Sequence, residues 1–90
     1  MKGFPRVKSV QSLPSKRLRV TFDNDEVRVY DCTPLLEEAA FRSLHDDALF
    51  QNVSPDPHGY GVVWSDEVDL AESELWLRGM PEQAAAVGLR

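Results

Sequence analysis

The stretch Arg17-Leu18-Arg19-Val20-Thr21-Phe22-Asp23-Asn24-Asp25-Glu26-Val27-Arg28-Val29-Tyr30 decides the fold. Its first six residues alternate polar and apolar, the period of a strand with one buried face, and Val27 to Tyr30 do the same. The polar Asp23-Asn24-Asp25-Glu26 between them reads as the turn of a hairpin. Either Asn24-Asp25 is a two-residue turn, with Asp25 where Gly is usually preferred, or all four residues form a looser loop. Both choices pair Phe22 with Val27, Val20 with Val29, Thr21 with Arg28 and Arg19 with Tyr30. Leu18, Val20, Phe22, Val27 and Val29 then share the buried face. Arg17, Arg19, Arg28 and Tyr30 share the open one.

Upstream of the hairpin, Arg6 to Val10 is short and β-prone, and Ser12-Leu13-Pro14-Ser15 breaks it. Downstream, Thr33 is placed as a helix N-cap with Pro34 at the first helical position. Leu36, Ala40 and Leu44 repeat at i, i+4 and i+8 with Phe41 beside them, and Asp46 caps a last turn through Phe50. The segment reads as one helix or as two or three short turns. Tyr60 to Trp64 is a strand that pairs back onto the extended residues 52–54 across a Pro-rich turn, with Trp64 in the core and Ser65-Asp66-Glu67 closing it. Asp69 with Glu72 forms a capping box for a final helix. Arg78 suits that helix's C-terminal dipole, and Gly79 its left-handed stop. The expected architecture is one small α+β domain over residues 5–79. Its antiparallel sheet is two hairpins, or a meander plus a hairpin, with short helices around 34–50 and 70–78. Residues 80–90 are expected as a C-terminal tail, helical or frayed.

Ninety residues suffice for one core and no more. At 42% hydrophobic and 28% charged, the chain has a globular composition rather than a disordered one. The net charge of −5 excludes a generally basic nucleic-acid binder. Charge is unevenly spread: residues 1–30 carry seven basic and three acidic side chains, and residues 31–90 carry three basic and twelve acidic ones. Such asymmetry indicates a polarised surface or two halves that attract each other. No apolar run approaches the roughly 18 residues that span a bilayer, so no membrane partner is expected. One cysteine allows no internal disulfide, and the first residues have no apolar signal region. Together these set the expected location in the cytoplasm.

Candidate chemistry is sparse. Cys32 at a strand end lacks a nearby base, with His45 thirteen residues on, and is expected as a small buried residue. His45 precedes two aspartates and His58 lies in a Pro-rich turn, both read as solvated. One Cys and two separated His give no zinc spacing. Neither Asp66-Glu67-Asp69 nor Asp46-Asp47 follows a calcium-loop pattern. Phosphate loops and hydrolase motifs are absent, so no catalytic residue, metal or cofactor is expected and the chain is read as a non-enzyme. The constellation that remains is the open sheet face of Arg17, Arg19, Arg28 and Tyr30, joined by Trp76, which lies off the apolar row of its helix. Such a face can bind single-stranded nucleic acid or grip an acidic protein, or can be an ordinary solvated surface. As exposed charges, Arg19 and Arg28 are expected to tolerate replacement by Ala.

Pro5-Arg6-Val7, Leu18 to Phe22, Val29-Tyr30-Asp31, Phe41-Arg42-Ser43-Leu44, Phe50, Gly59 to Trp64 and Asp69-Leu70, ending near Leu75 to Gly79, together resemble a bacterial family, domain of unknown function number 2442. The resemblance implies a small α+β domain with a curved antiparallel sheet and no established catalytic residues. Members stand alone or precede a helix-turn-helix domain. Many are encoded beside another small domain, which implies a two-protein system with this type as the antitoxin-like half. The family's turn usually carries Gly where this chain has Asn24-Asp25. With eleven residues after Gly79, no helix-turn-helix is expected here. The function expected is therefore a non-catalytic protein-binding or regulatory module with another protein as partner. The alternative is a nucleic-acid-binding accessory domain using the basic face, although binding nucleic acid alone is not expected at this net charge.

Overall fold

A three-residue loop sets the register of the first sheet. In the computed structural model, which describes residues 3–82, β2 (Arg17–Phe22) and β3 (Val27–Asp31) form the expected hairpin. The Phe22 N–H donates to the Glu26 carbonyl, and the Asp25 N–H donates back to Phe22, each at 2.9 Å. Asp23, Asn24 and Asp25 thus close the turn, with Asp25 in the left-handed region at φ 70°. This is the type I turn plus left-handed residue of a three-residue hairpin. An odd loop length shifts the pairing by one residue from the expected register. Leu18 faces Tyr30, Arg19 faces Val29 and Val20 faces Arg28. Because strand side chains alternate, a one-residue shift moves a whole set to the opposite face. Tyr30 and Arg28 therefore turn inward with Leu18, Val20 and Phe22, whereas Val27 and Val29 sit with Arg17 and Arg19 on the open face.

β1 (Val7–Leu13) pairs antiparallel with β2 and runs three residues past the expected strand end at Val10, into the first two residues of the expected break. Pro14, Ser15 and Lys16 make that turn, with Ser15 and Lys16 both left-handed. From Lys16 the ammonium reaches across to the Leu44 carbonyl (2.8 Å), the His45 carbonyl (3.1 Å) and the Asp47 carboxylate. It thereby ties the first hairpin to the middle of the chain.

The middle is three short turns. Residues Thr33–Glu37 and Ala39–His45 are 3₁₀ helices, and α1 is Asp47–Gln51. With about three residues per 3₁₀ turn, Phe41 and Leu44 share a face, and Ala40 is exposed rather than part of an inward row. The cap at Thr33 moves back: Cys32 occupies the cap position, and the Asp31 carboxylate accepts from the Thr33 N–H at 2.9 Å. Asp46 caps α1 as expected, accepting from the Ala48 N–H at 2.9 Å.

β4 (Ser54–Pro55) and β5 (Gly61–Ser65) pair as expected, and β6 (Val68–Ala71) completes a second sheet in the order β4-β5-β6. β6 replaces the expected capping box. Val68 and Leu70 are buried and Asp69 and Ala71 exposed, so this stretch has the period of two and Asp69 caps nothing. Gly61 permits the tight approach of β5 to β6, since a Cβ there would come within 2.0 Å of the Leu70 carbonyl oxygen. α2 (Glu72–Arg78) starts two residues later than expected. Gly79 ends it in an extended conformation, φ −73°, rather than a left-handed one. Gly is needed there for space: a Cβ would lie 2.4 Å from the Leu75 carbonyl oxygen. β7 (Met80–Pro81) then adds to β3, giving the first sheet the order β1-β2-β3-β7. Residues 83–90, most of the expected tail, lie outside the described residues. The fold is α+β with two antiparallel sheets and short helices around one core. That core holds Leu18, Val20, Phe22, Leu44, Val62 and Leu75, all fully buried. Trp64 is 4% exposed, with its indole N–H donated to the Phe50 carbonyl at 3.0 Å.

Candidate functional site

The five residues of the expected binding face are divided among three places. Arg17 stays on the open face of the first sheet, where its Nε donates to the Pro14 carbonyl at 3.2 Å. Arg19 lies on the same face and grips Glu82 with two bonds, the longer at 3.2 Å. The bonds from Arg19 hold the Glu82 carboxyl below its usual range. Tyr30 is 4% exposed and donates its hydroxyl to Glu74 Oε2 at 2.7 Å. Burial, then that contact, raises its phenol well above the ordinary 10.0. Arg28 and Trp76 face each other beneath α2: the guanidinium carbon is 3.7 Å from the indole centroid. From there Arg28 donates to the carbonyls of Trp76 (2.9 Å) and Gly79 (3.3 Å) and pairs with Glu26 at 2.8 Å. The Trp76 ring meets Phe22 edge-on at 5.1 Å. The shared basic and aromatic face expected from the hairpin is therefore not formed. The three-residue loop turns Arg28 and Tyr30 toward α2, and the two bury their polar tips against that helix.

Cys32 is fully buried at the strand-to-helix joint. Burial, and secondarily Asp31, push its thiol up to about 12, so it is protonated at neutral pH. His45 and His58 are exposed, and the His58 ring lies 6.0 Å from Tyr60. Among the described residues, no group of three or more His, Cys, Asp or Glu is placed to hold a metal ion. Among them too, no helix is long and apolar enough to cross a membrane.

The arrangement that composition and spacing missed is a groove of about 650 Å³ between the end of β3 and β6. Tyr30, Leu35, Phe41 and Leu70 give it apolar walls, and Asp31, Glu38, Asp69 and Glu74 ring it with carboxylates, against Arg78 alone among the described residues. Glu74 is already engaged by Tyr30 and, at 3.4 Å, by Arg78. Among the described residues, Glu38 and Asp69 form no ion pair. A volume of this size is ordinary for a binding cleft. One signal for it was present in the sequence. Leu35 and Phe41 are apolar residues outside the Leu36, Ala40, Leu44 row, and an apolar residue off the core row needs some other surface to face.

The sequence matches the family described as protein of unknown function (DUF2442) over residues 7–81. A crystal structure from Nitrosomonas europaea ATCC 19718, of a "putative DNA binding protein", has the same fold, with a TM-score of 0.75 and 25% identity. The likeness covers 94% of this chain and 56% of the other, so this chain spans about half the length of that neighbour. Comparison with curated proteins gives no match. The family match begins at the first residue of β1 and ends at the last of β7, enclosing both sheets and the groove between them. This chain belongs to the DUF2442 family of proteins of unknown function.

Proposed function

We propose that this protein is a non-catalytic protein-binding module, the regulatory half of a two-protein system, with an antitoxin-like role as the narrower form of that reading. The observation that carries it is the groove of Tyr30, Leu35, Phe41 and Leu70, with the carboxylates of Glu38 and Asp69, which form no ion pair among the described residues, at its rim. Apolar walls with a few fixed charges suit a side chain or segment that is itself apolar with opposite charge. The reading without catalysis draws support from the buried, protonated Cys32 and from histidines that neither contact it nor share a site with it. Binding would act by occlusion, holding a segment of the partner away from its own target.

The DNA-binding description of the Nitrosomonas neighbour favours a second reading, an accessory role on nucleic acid. The surface chemistry weighs against it. Of the expected face, Arg17 and Arg19 remain outward, and Arg19 is matched by Glu82. A net charge of −5 opposes approach to a polyanion.

Affinity capture of the tagged full chain from its own host, with mass spectrometry and nucleic-acid detection on one eluate, tests the two together. The expected result is a specific protein retained after nuclease treatment. Retained nucleic acid, lost on raising salt and in the Arg17→Ala, Arg19→Ala double variant, would replace this reading with the second, because phosphate binding releases counterions.

A further inference from the structure

β6 is an edge strand whose free side borders the groove. Among the described residues its pairing partner is β5 alone, and Asp69, Leu70 and Ala71 all line the groove. The Glu72 N–H donates to the Tyr60 carbonyl at 2.9 Å, which fixes the phase of the β5–β6 ladder. By antiparallel alternation, Val62 and Leu70 exchange the next hydrogen bonds. The N–H and C=O of Asp69 and the N–H of Ala71 then point away from β5. They meet no partner strand among the described residues. An open row of this kind is a template for another strand, and proteins recognise extended peptides by adding them to such edges.

Charge selects what can add. Among the described residues the rim holds four carboxylates against one guanidinium and Glu38 and Asp69 form no ion pair, and residues 31–90 as a whole carry twelve acidic and three basic side chains. An acidic side chain on an edge discourages the strand from pairing with a second copy of itself, and it favours an incoming strand of opposite sign. Along such a strand alternate side chains would fall beside Leu70 and beside Asp69. The four residues of β6 offer about 13 Å of edge at the usual rise per residue.

We propose that the groove takes an extended segment of a partner protein, added to β6 as a strand, with apolar residues alternating with lysine or arginine. This rests on the protein-binding reading above and names the partner chemistry of the same groove. The test uses the full chain, labelled with nitrogen-15, and three synthetic heptapeptides. One alternates valine and arginine, one alternates valine and glutamate, and the third is the arginine peptide N-methylated along one edge so that it cannot pair. Spermine serves as a cation without a backbone.

The arginine peptide should shift the amides of Asp69 and Ala71 and bind at least tenfold more tightly than the other two peptides and spermine. The Glu38→Lys, Asp69→Lys variant changes two exposed side chains, and its amide spectrum away from the groove should match the parent. It should bind the arginine peptide at least tenfold more weakly. Absence of binding at millimolar peptide, shifts confined to another surface, or equal binding of the N-methylated peptide or spermine would overturn the proposal. The two readings fail separately. A host protein still captured by the Glu38→Lys, Asp69→Lys variant would remove the groove and leave the protein-binding module. Capture of no protein by the parent chain would remove the module itself.

Discussion

Arg28 holds three parts of the molecule together: the β2–β3 hairpin through Glu26, the body of α2 through the Trp76 ring and carbonyl, and the entry to β7 through the Gly79 carbonyl. A cation over an indole and at the C-terminal end of a helix is favoured twice, by the ring quadrupole and by the helix dipole. Replacing it leaves two carbonyls and a carboxylate without their donor. Arg28→Met, which keeps the apolar stem, should cost about 2–4 kcal/mol, from the range for charged hydrogen bonds and a desolvated cation–π pair. Arg17→Ala should stay within about 0.5 kcal/mol, as an ordinary surface change. Urea denaturation of both variants checks the contrast, and equal effects would contradict the placement of Arg28. Sequence alone treated the two arginines alike. Trp64→Ala should cost about 3–5 kcal/mol, because the ring is buried against Phe50.

At the scale of elements, the β2–β3 hairpin was legible in its existence and unreadable in its phase. Alternation from Arg17 to Phe22 announces a strand. The side chains that share its face across the turn depend on whether the loop is odd or even, and Asp23-Asn24-Asp25-Glu26 is compatible with either. Only the hydrogen bonds of Phe22 with Asp25 and Glu26 resolve it. β6 was hidden for a related reason, since Asp69 with Glu72 mimics a capping box while Val68 and Leu70 already alternate. The groove depends on both, because it needs Tyr30 turned inward and β6 present beside it. The Asp46 cap and the burial of Trp64 were legible, as each rests on chemistry within a few residues. The loop offers its own test. Asp25 occupies a left-handed position that glycine adopts without penalty. Its side chain does little to offset that, since the carboxylate makes an exposed ion pair with Lys8, a kind that contributes little to stability. Asp25→Gly should therefore stabilise the protein by about 0.5–1 kcal/mol, roughly half the cost of a left-handed non-glycine residue. A fall in thermal midpoint would contradict the three-residue loop.

Across the whole molecule, two buried acids make stability fall with alkali. The Cys32 thiol is raised by burial from 9.0 to about 12, and Tyr30 is raised in the same direction. The folded state keeps protons that the unfolded chain releases. Their contribution is complete below about pH 9 and is lost progressively as pH rises toward 12. The slope from Cys32 approaches about 1.4 kcal/mol per pH unit. Urea midpoints between about pH 8 and 11 should fall, and more shallowly in Cys32→Ala, whereas an unchanged slope in that variant would contradict the buried thiol. The same molecule sets Arg17 and Arg19 on the open face of its first sheet and an acidic, apolar-walled groove between its two sheets, and the proposed function rests on that division. Affinity capture from the host, run in parallel on the parent chain, the Glu38→Lys, Asp69→Lys variant and the Arg17→Ala, Arg19→Ala variant, tests it most directly. The account predicts one protein retained by the parent and the arginine variant and lost from the groove variant. Retention that survives in the groove variant and disappears in the arginine variant would contradict it.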